Sequence, residues 1–236
     1  MQSVIDELTD LADPGYRSFQ AKIIPTVDPE RILGVRTPDL RAFARRFAKD
    51  PRLSDFLVEL PHAAFEEMGL HAELIGLIAR TPEQAFPMLD AFLPHVDNWA
   101  TCDIIRVPAF DRDLPATLSQ VRRWIEPEKP EYVVRFGVCT LMGHFLKDAF
   151  DLAHLDLVAD IHRPEYYINM ARAWYYSMAI VRYFDEVLPF FEARPLKLDA
   201  WTHNKSLQKA RESRVPTADQ KAYLQSLKVR TTRSKA

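Results

Sequence analysis

Three short motifs recur along the chain at a nearly constant interval. They are Trp99-Ala-Thr-Cys-Asp103, Tyr132-Val-Val-Arg135 and Tyr166-Tyr-Ile-Asn-Met-Ala-Arg-Ala-Trp174. Trp99 precedes Arg135 by 36 positions, and Arg135 precedes Trp174 by 39. An interval near 40 residues is typical of two-helix HEAT-like repeats, in which equivalent positions of successive repeats line one surface. The spacing therefore predicts a concave surface that carries two indole rings, a carboxylate and a guanidinium.

The pattern of apolar residues is helical along nearly the whole chain. Strand-like alternation bounded by Asn-Gly or Asp-Gly turns is absent. We expect an all-α fold, a HEAT-like repeat α-solenoid (α-α superhelix), with one domain over residues 1–228 and a polar basic tail over 229–236. The predicted helices span 3–12, 16–24, 38–48, 53–60, 65–79, 82–93, 97–106, 114–125, 130–146, 150–161, 164–184, 186–193, 199–213 and 216–228.

Proline positions give a second indication of the repeat. Thr37-Pro38 and Thr81-Pro82 resemble helix starts with a threonine cap, and they lie 44 residues apart. Pro164 follows Pro82 by 82 residues, about two such intervals. We therefore expect these prolines to begin helices at comparable points of the repeat.

Charge is distributed unevenly along this chain. The formal net charge is -2, but from Pro195 onward ten basic residues face only three acidic ones. Such a bias suits a polyanionic partner, and it equally suits a solvated helix face with a frayed end. No window reaches the roughly 18 apolar residues of a membrane span, and the start has no signal-peptide pattern, so we expect a cytoplasmic protein.

Several common active sites lack the residues they need. Six glycines occur without the spacing of a phosphate-binding loop, and seven histidines occur without an HExxH motif or a Cys/His cluster. A serine nucleophile elbow is also missing. We therefore expect no metal and no cofactor.

Trp99 and Asp103 lie four residues apart, so a helix places both side chains on one face. A lone pair of this kind is more often structural than catalytic. Arg135 lies within an apolar run, where its guanidinium needs a carboxylate or a phosphate; Asp103 is one candidate partner. Trp174 lies among Ala173, Tyr175 and Tyr176 and suits a core position as well as a contact.

Together these motifs resemble the DNA alkylation repair family, the AlkD-like HEAT-repeat DNA glycosylases. The resemblance runs from about Tyr16 to Leu227 and includes Leu33-Gly-Val-Arg-Thr-Pro-Asp-Leu40 and Thr202-His-Asn-Lys-Ser-Leu-Gln-Lys-Ala-Arg-Glu-Ser213. It implies a monomer whose concave face holds duplex DNA, alkylated or distorted. It also implies an enzyme of base excision repair that hydrolyses the glycosidic bond of cationic N3- or N7-alkylpurines without flipping the base into a pocket.

The resemblance also assigns roles to individual residues. Asp103 matches the catalytic carboxylate, Trp99 and Trp174 match the paired indoles that cradle the deoxyribose, and Arg135 matches a contact to the DNA backbone. Of the basic residues near the C-terminus, we expect three on one helix to bind DNA: Lys205, Lys209 and Arg211.

Some features resemble a subgroup that lacks the N-terminal minor-groove helix. Leu11-Ala-Asp-Pro-Gly15 leads directly into Tyr16, and Met170 and Ser177 stand where basic residues are typical. That subgroup implies weak DNA binding and weak or no excision. Two alternatives to an active glycosylase therefore remain: a DNA-binding paralogue with little activity, and a helical-repeat scaffold for a protein partner.

Overall fold

The computed structural model describes residues 2–230, which form fourteen α-helices and no β-strand. The helices are α1 (Val4–Thr9), α2 (Pro14–Ile23), α3 (Thr37–Phe47), α4 (Leu53–Val58), α5 (Phe65–Ile78), α6 (Pro82–Phe92), α7 (Trp99–Ile104), α8 (Leu114–Trp124), α9 (Glu131–Thr140), α10 (Ala153–Ala159), α11 (Tyr166–Arg182), α12 (Phe184–Glu192), α13 (Ala200–Glu212) and α14 (Ala218–Ser226). Short 3₁₀ helices span Pro29–Arg31, Leu93–His95 and Pro108–Arg112, and a π-helical turn spans Leu141–Phe145.

The all-α prediction is confirmed, and each predicted helix corresponds to one of these fourteen. The differences lie at the ends. The helix predicted over 130–146 ends as an α-helix at Thr140 and continues as the π-helical turn. The helix predicted over 97–106 is only Trp99–Ile104, because the backbone of Asn98 and of Ile105 on either side is extended.

The chain divides into two compact units, unit 1 over Met1–Gln120 and unit 2 over Val121–Ala236. A single domain over 1–228 stays a prediction. In unit 1, the long helix α5 packs against α1, α3, α6 and α7. Gly76 on α5 permits a close approach of the backbone, because a Cβ there would lie 1.9 Å from the carbonyl oxygen of Arg106.

In unit 2, the longest helix, α11, packs against α9, α10, α12 and α13. In each unit, alternate helices therefore pack on one another. In unit 1 they are α3, α5 and α7, and in unit 2 they are α9, α11 and α13. Their first residues are 28 and 34 positions apart in unit 1, and 35 and 34 apart in unit 2. This is the packing of a two-helix repeat. The HEAT-like type of repeat and the concave face stay predictions.

The prediction from proline spacing was wrong. Thr37 begins α3, whereas Thr81 precedes α6, which packs beside α5 and belongs to the other set of helices. Neither threonine side chain caps its helix, and α11 begins two residues after Pro164. The interval of 44 residues therefore joins helices that are not equivalent.

Within residues 2–230 no helix is long and apolar enough to cross a membrane. Part of the predicted tail is ordered against α13, because Asn204 and the backbone of Val229 exchange two hydrogen bonds of 2.8 and 3.0 Å. The rest of that tail, residues 231–236, lies outside the described residues.

Candidate functional site

The Trp99–Asp103 motif is α7 itself, and its first turn is fixed by a buried cap. The Asn98 side chain accepts from the backbone N–H of Thr101 at 2.8 Å and donates to the Thr101 hydroxyl at 3.0 Å. The neighbouring Asp97 forms an ion pair with Arg31, in which Asp97 Oδ2 and Arg31 Nη1 are 2.5 Å apart. Arg31 also donates a hydrogen bond to the carbonyl of Ala63. A six-residue helix is too short to be stable alone, so these bonds and its packing on α5 set its direction.

Trp99 is half-buried at the start of α7. Its Nε1–H donates to the carbonyl of Ile23, the last residue of α2, at 3.2 Å. Its ring packs against an apolar cluster that contains Ile24, Val27 and Phe65. One part of the indole is therefore held in place while another part stays accessible.

Asp103 lies one turn after Trp99, as predicted, and both side chains line one cavity in unit 1. The cavity encloses about 250 Å³ and lies among α2, α3, α5 and α7. Half-buried residues form its mouth: Tyr16, Thr37, Trp99 and Asp103. A carboxylate and an aromatic ring at the mouth of an apolar cavity suit the recognition of a cationic or nitrogen-rich planar group.

Two buried polar residues that the sequence analysis did not single out also line the cavity. Gln20 on α2 is 6% exposed, and its Oε1 has no hydrogen-bond partner among the described residues. Glu66 on α5 is fully buried, and burial raises the pKa of its carboxyl above the ordinary value. The Glu66 oxygens accept from the backbone N–H groups of Leu33, Gly34 and Val35 at 2.9, 2.6 and 3.1 Å.

These bonds explain the Leu33–Leu40 motif. Gly34 adopts a φ of 98°, and a Cβ there would lie 2.6 Å from the carbonyl oxygen of Asp13, so only glycine fits. The carbonyl of Gly34 accepts from the backbone N–H of Asp13 at 3.0 Å. Glu66 therefore has a structural role, because its carboxylate holds this loop against α2.

Arg135, on α9 in unit 2, is 4% exposed. Its Nη1 donates to the carbonyl of Tyr167 on α11 at 2.7 Å and so ties the two helices together. A guanidinium with so little exposed surface and a backbone acceptor is typical of a structural arginine. Its pairing with Asp103 and its contact with the DNA backbone stay predictions.

Trp174 lies on the outward side of α11, where it is 37% exposed, so it is not the core residue that its apolar neighbours suggested. The same side of α11, at steps of four residues, carries Tyr166, Met170 and Met178. Trp201 on α13 is also exposed and packs edge-on against Tyr166, with ring centroids 5.9 Å apart. We call Tyr166, Met170, Trp174, Met178 and Trp201 the aromatic face of unit 2.

The three basic residues predicted on one helix do lie on α13, but not on one side of it. Lys205 and Lys209 follow Trp201 at steps of four residues and share its side. Arg211 lies two residues beyond Lys209, about 200° around the helix axis. Lys205 donates weakly to Gln208 at 3.4 Å. Two lysines therefore accompany Trp201, and Arg211 points elsewhere.

A polar depression in unit 2 also holds several cations. It encloses about 470 Å³, and His162, Arg163, Arg172 and Lys197 are among its lining residues. Three of these side chains are already paired: Arg163 with Glu165, Arg172 with Asp199 at 3.2 Å, and Lys197 with Asp156 at 2.5 Å. We interpret this depression as a structural ion-pair network.

The sequence gives no strong signal for Gln20 or Trp201. Gln20 is one polar residue in a mixed helix, and nothing local distinguishes a buried glutamine from an exposed one. Tyr166 and Trp201 are adjacent only because α11 packs on α13. Among residues 2–230, no group of three or more His, Cys, Asp or Glu side chains is arranged to hold a metal ion.

Comparison with known proteins identifies the family. The family model described as DNA alkylation repair enzyme matches residues 4–210. No curated protein and no solved structure gives a significant match to the chain. The family match covers most of both units, including α7, α9, α11 and most of α13. The chain belongs to the DNA alkylation repair enzyme family.

Proposed function

We propose that this protein is a DNA glycosylase that releases cationic N3- or N7-alkylpurines from DNA. The observation that carries the proposal is the arrangement of α7, whose cap and packing hold Trp99 and Asp103 on one face at the mouth of a cavity. Family membership supports DNA as the partner. The alkylpurine substrate and the glycosylase mechanism are our extension of that membership.

The chemistry needs few groups. An N3- or N7-alkylated purine is already cationic, so it leaves without a general acid. The difficulty is the oxocarbenium-like sugar that forms as the glycosidic bond breaks. A fixed carboxylate stabilises that positive charge and orients the attacking water, and Asp103 has this role in our proposal. No metal or cofactor takes part in these steps.

The two indoles have related roles. The electron-rich face of an aromatic ring attracts a cation, so an indole beside the sugar adds to the stabilisation by Asp103. The hydrogen bond to Ile23 fixes Trp99 for this purpose. Trp174 is the second indole that the resemblance assigns to the sugar, and its exposure leaves a ring face available for contact.

A single-turnover assay tests the proposal. Excess protein is mixed with methylated duplex DNA, and the release of 7-methylguanine and 3-methyladenine is measured for wild type and Asp103→Asn. We expect Asp103→Asn to slow release about 10²–10³-fold, the effect of removing one fixed electrostatic group. Asp219→Asn on exposed α14 is the matched control and should release at the wild-type rate. Equal rates for wild type and Asp103→Asn would remove Asp103 from the mechanism.

A DNA-binding member of the family with little excision is the second candidate. One observation favours it: four residues of α11 on the aromatic face, Tyr166, Met170, Trp174 and Met178, include no cation. Ser177, where a basic residue is typical, is buried and donates to the carbonyl of Trp174 at 2.7 Å. Fewer phosphate contacts mean weaker and less salt-dependent binding. Binding of methylated duplex without any base release would favour this candidate.

The remaining parts of the proposal concern assembly and location. We propose a monomer, because all the residues named above lie in one chain, and we propose a cytoplasmic location. Sedimentation of the protein with and without duplex DNA measures the oligomeric state. The protein scaffold has no observation of its own to favour it.

A further inference from the structure

Two exposed rings of the aromatic face meet where α11 packs on α13, and the proposed excision uses neither of them. Tyr166 is 57% exposed and Trp201 is 38% exposed. Their ring centroids lie 5.9 Å apart, at an interplanar angle of 64°. In an edge-to-face contact of this kind, each ring keeps at least one face that the other does not cover. The Tyr166–Trp201 pair therefore offers open aromatic surface from two helices at one place.

The starts of both helices are fixed relative to each other. Tyr166 is the first residue of α11 and Trp201 is the second residue of α13. The Asp199 side chain caps α13 by accepting from the backbone N–H of Thr202 at 2.8 Å, and it also pairs with Arg172 of α11 at 3.2 Å. Rings held in this way lose little conformational freedom when a ligand covers them.

Charge beside the pair is carried by α13. Lys205 and Lys209 lie one and two turns after Trp201, on the same side of the helix. Glu212 also lies near that side, but it is three turns from Trp201 and accepts from the Gln208 amide at 2.8 Å. A ligand seated on the rings and extending along α13 therefore meets two cations before it meets the carboxylate.

Rings and cations together distinguish between the forms that DNA takes. A duplex presents its phosphates outward and keeps its bases paired and stacked inside, so uncharged rings gain little from it. An unpaired base has a free face, and stacking on an aromatic side chain is worth about 1–3 kcal/mol per base. The phosphates of the same strand then have lysines to contact.

We propose that the Tyr166–Trp201 pair stacks an unpaired base of DNA, with Lys205 and Lys209 on the phosphates of that strand. Such a base lies on an open surface and needs no pocket. Stacking of this kind is tolerant of sequence, because every base has an aromatic face. The inference rests on DNA as the partner in the proposed function, but not on excision.

Fluorescence anisotropy with two labelled strands tests the inference. One strand is a mixed-sequence oligonucleotide of about 12 nucleotides, within the usual range of single-strand sites. The other is a strand of the same length that is abasic throughout and therefore carries the same charge without bases. We expect wild type to bind the first about 10-fold more tightly than the second. Trp201→Leu should lower the affinity for the first strand about 10-fold and leave the affinity for the abasic strand unchanged.

Matched variants separate stacking from folding. Trp201→Phe keeps a ring and should retain most of the affinity, whereas Tyr166→Leu should show a loss similar to that of Trp201→Leu. Tyr223→Leu removes an exposed ring from α14, where the Tyr223 hydroxyl bonds Glu192 of α12. It is the control and should bind both strands as wild type does. The thermal midpoints of the Trp201 and Tyr166 variants should stay close to that of wild type, because both rings are exposed.

Equal affinity of wild type for the two strands would overturn the inference, as would a Trp201→Leu variant that binds the first strand as wild type does. If wild type binds neither strand and instead self-associates in sedimentation, and Trp201→Leu does not, the pair is a contact between copies of this chain. Base-dependent binding without Asp103-dependent release would keep the stacking pair and remove the glycosylase. Release without base-dependent binding would do the reverse.

Discussion

The indoles of Trp99 and Trp174 are held in opposite ways. Trp99 begins a six-residue helix, donates a hydrogen bond to α2 and packs on an apolar cluster. Trp174 stands in the middle of a seventeen-residue helix and projects from it with its ring exposed. The position of Trp99 therefore depends on residues of other elements, whereas the position of Trp174 depends on its own helix, α11.

This difference separates two kinds of site. The α7 region of unit 1 is a small set of fixed groups around a cavity, the arrangement that a chemical step requires. The aromatic face of unit 2 is an open surface of rings and methionines beside two lysines, an arrangement suited to contact with a large ligand. We expect substitutions around α7 to alter stability and chemistry together, and substitutions on the aromatic face to alter DNA binding or chemistry with little change in stability.

Paired alanine substitutions of the two indoles give the largest expected effect. Trp99→Ala should lower the free energy of unfolding by about 3 kcal/mol, because a half-buried ring and its hydrogen bond are lost. Trp174→Ala should change it by less than about 1 kcal/mol, while reducing DNA binding. Urea denaturation followed by circular dichroism measures both. Equal losses of stability would mean that the two indoles are not held differently.

Arg135→Ala extends the comparison to a residue of unit 2 that is buried. We expect it to lower the free energy of unfolding by about 2 kcal/mol, since the carbonyl of Tyr167 loses its donor. The salt dependence of DNA binding should stay as in wild type. Arg214→Ala, at an exposed arginine, is the control for loss of charge. A normal stability with a reduced salt slope would instead make Arg135 a phosphate contact.

A buried histidine pair in unit 1 makes stability depend on pH. His62 Nε2 and His71 Nδ1 are 2.9 Å apart, and the rings pack against Phe56 and Phe92. Burial lowers the pKa of His62 to about 4 and the pKa of His71 to about 3, and repulsion among the histidines acts in the same direction. Both rings are therefore neutral in the folded protein near pH 7.

The sign of the effect follows from these values. Unfolded histidine has a pKa of about 6.5, so the unfolded chain takes up protons first as the pH falls. The stability that the two neutral rings contribute is present above pH 6.5, and the free energy of unfolding should decrease by about 3 to 4 kcal/mol between pH 7 and pH 5. Urea midpoints at the two pH values measure it. His162→Gln, which changes an exposed histidine of unit 2, is the control and should show the same decrease as wild type. A wild-type stability that does not change between pH 7 and pH 5 would contradict the neutral pair.

The sequence alone predicts the helices well, because their apolar period is a local property. It also places Trp99 and Asp103 on one face, since a separation of four residues is enough. The period of the repeat was less well predicted, because Thr37 and Thr81 look alike in sequence but begin helices of different sets. Only the packing of alternate helices, α3 on α5 and α5 on α7, distinguishes them, because α6 lies outside that set.

The polar lining of the cavity was beyond sequence reasoning for a related reason. Gln20 and Glu66 lie 46 positions apart in the sequence. The loop at Gly34, between them in the chain, donates its backbone N–H groups to the Glu66 carboxylate and not to the Gln20 amide. No local pattern shows that Glu66 meets three backbone amides while Gln20 meets none. By contrast, the position of Arg211 away from Lys205 and Lys209 follows from helical periodicity alone, and the contact of Arg211 with DNA stays a prediction.

The smallest expected effect comes from the two lysines beside the aromatic face. Lys205 and Lys209 share one side of α13 with the exposed ring of Trp201, so a DNA strand that stacks on that ring brings phosphates near both. Each contact that is lost should lower the slope of log K against log salt concentration by about 0.9 for duplex DNA. Stability should change by no more than about 0.5 kcal/mol.

Arg211→Ala is the matched control, because it removes the same charge from another side of the same helix. Fluorescence anisotropy with a labelled duplex at several salt concentrations gives the three slopes. If Lys205→Ala and Lys209→Ala lower the slope and Arg211→Ala does not, DNA lies along the side of α13 that carries Trp201. Equal slopes for all three variants would mean that α13 acts only through net charge, and the aromatic face would then lose its role as a DNA surface.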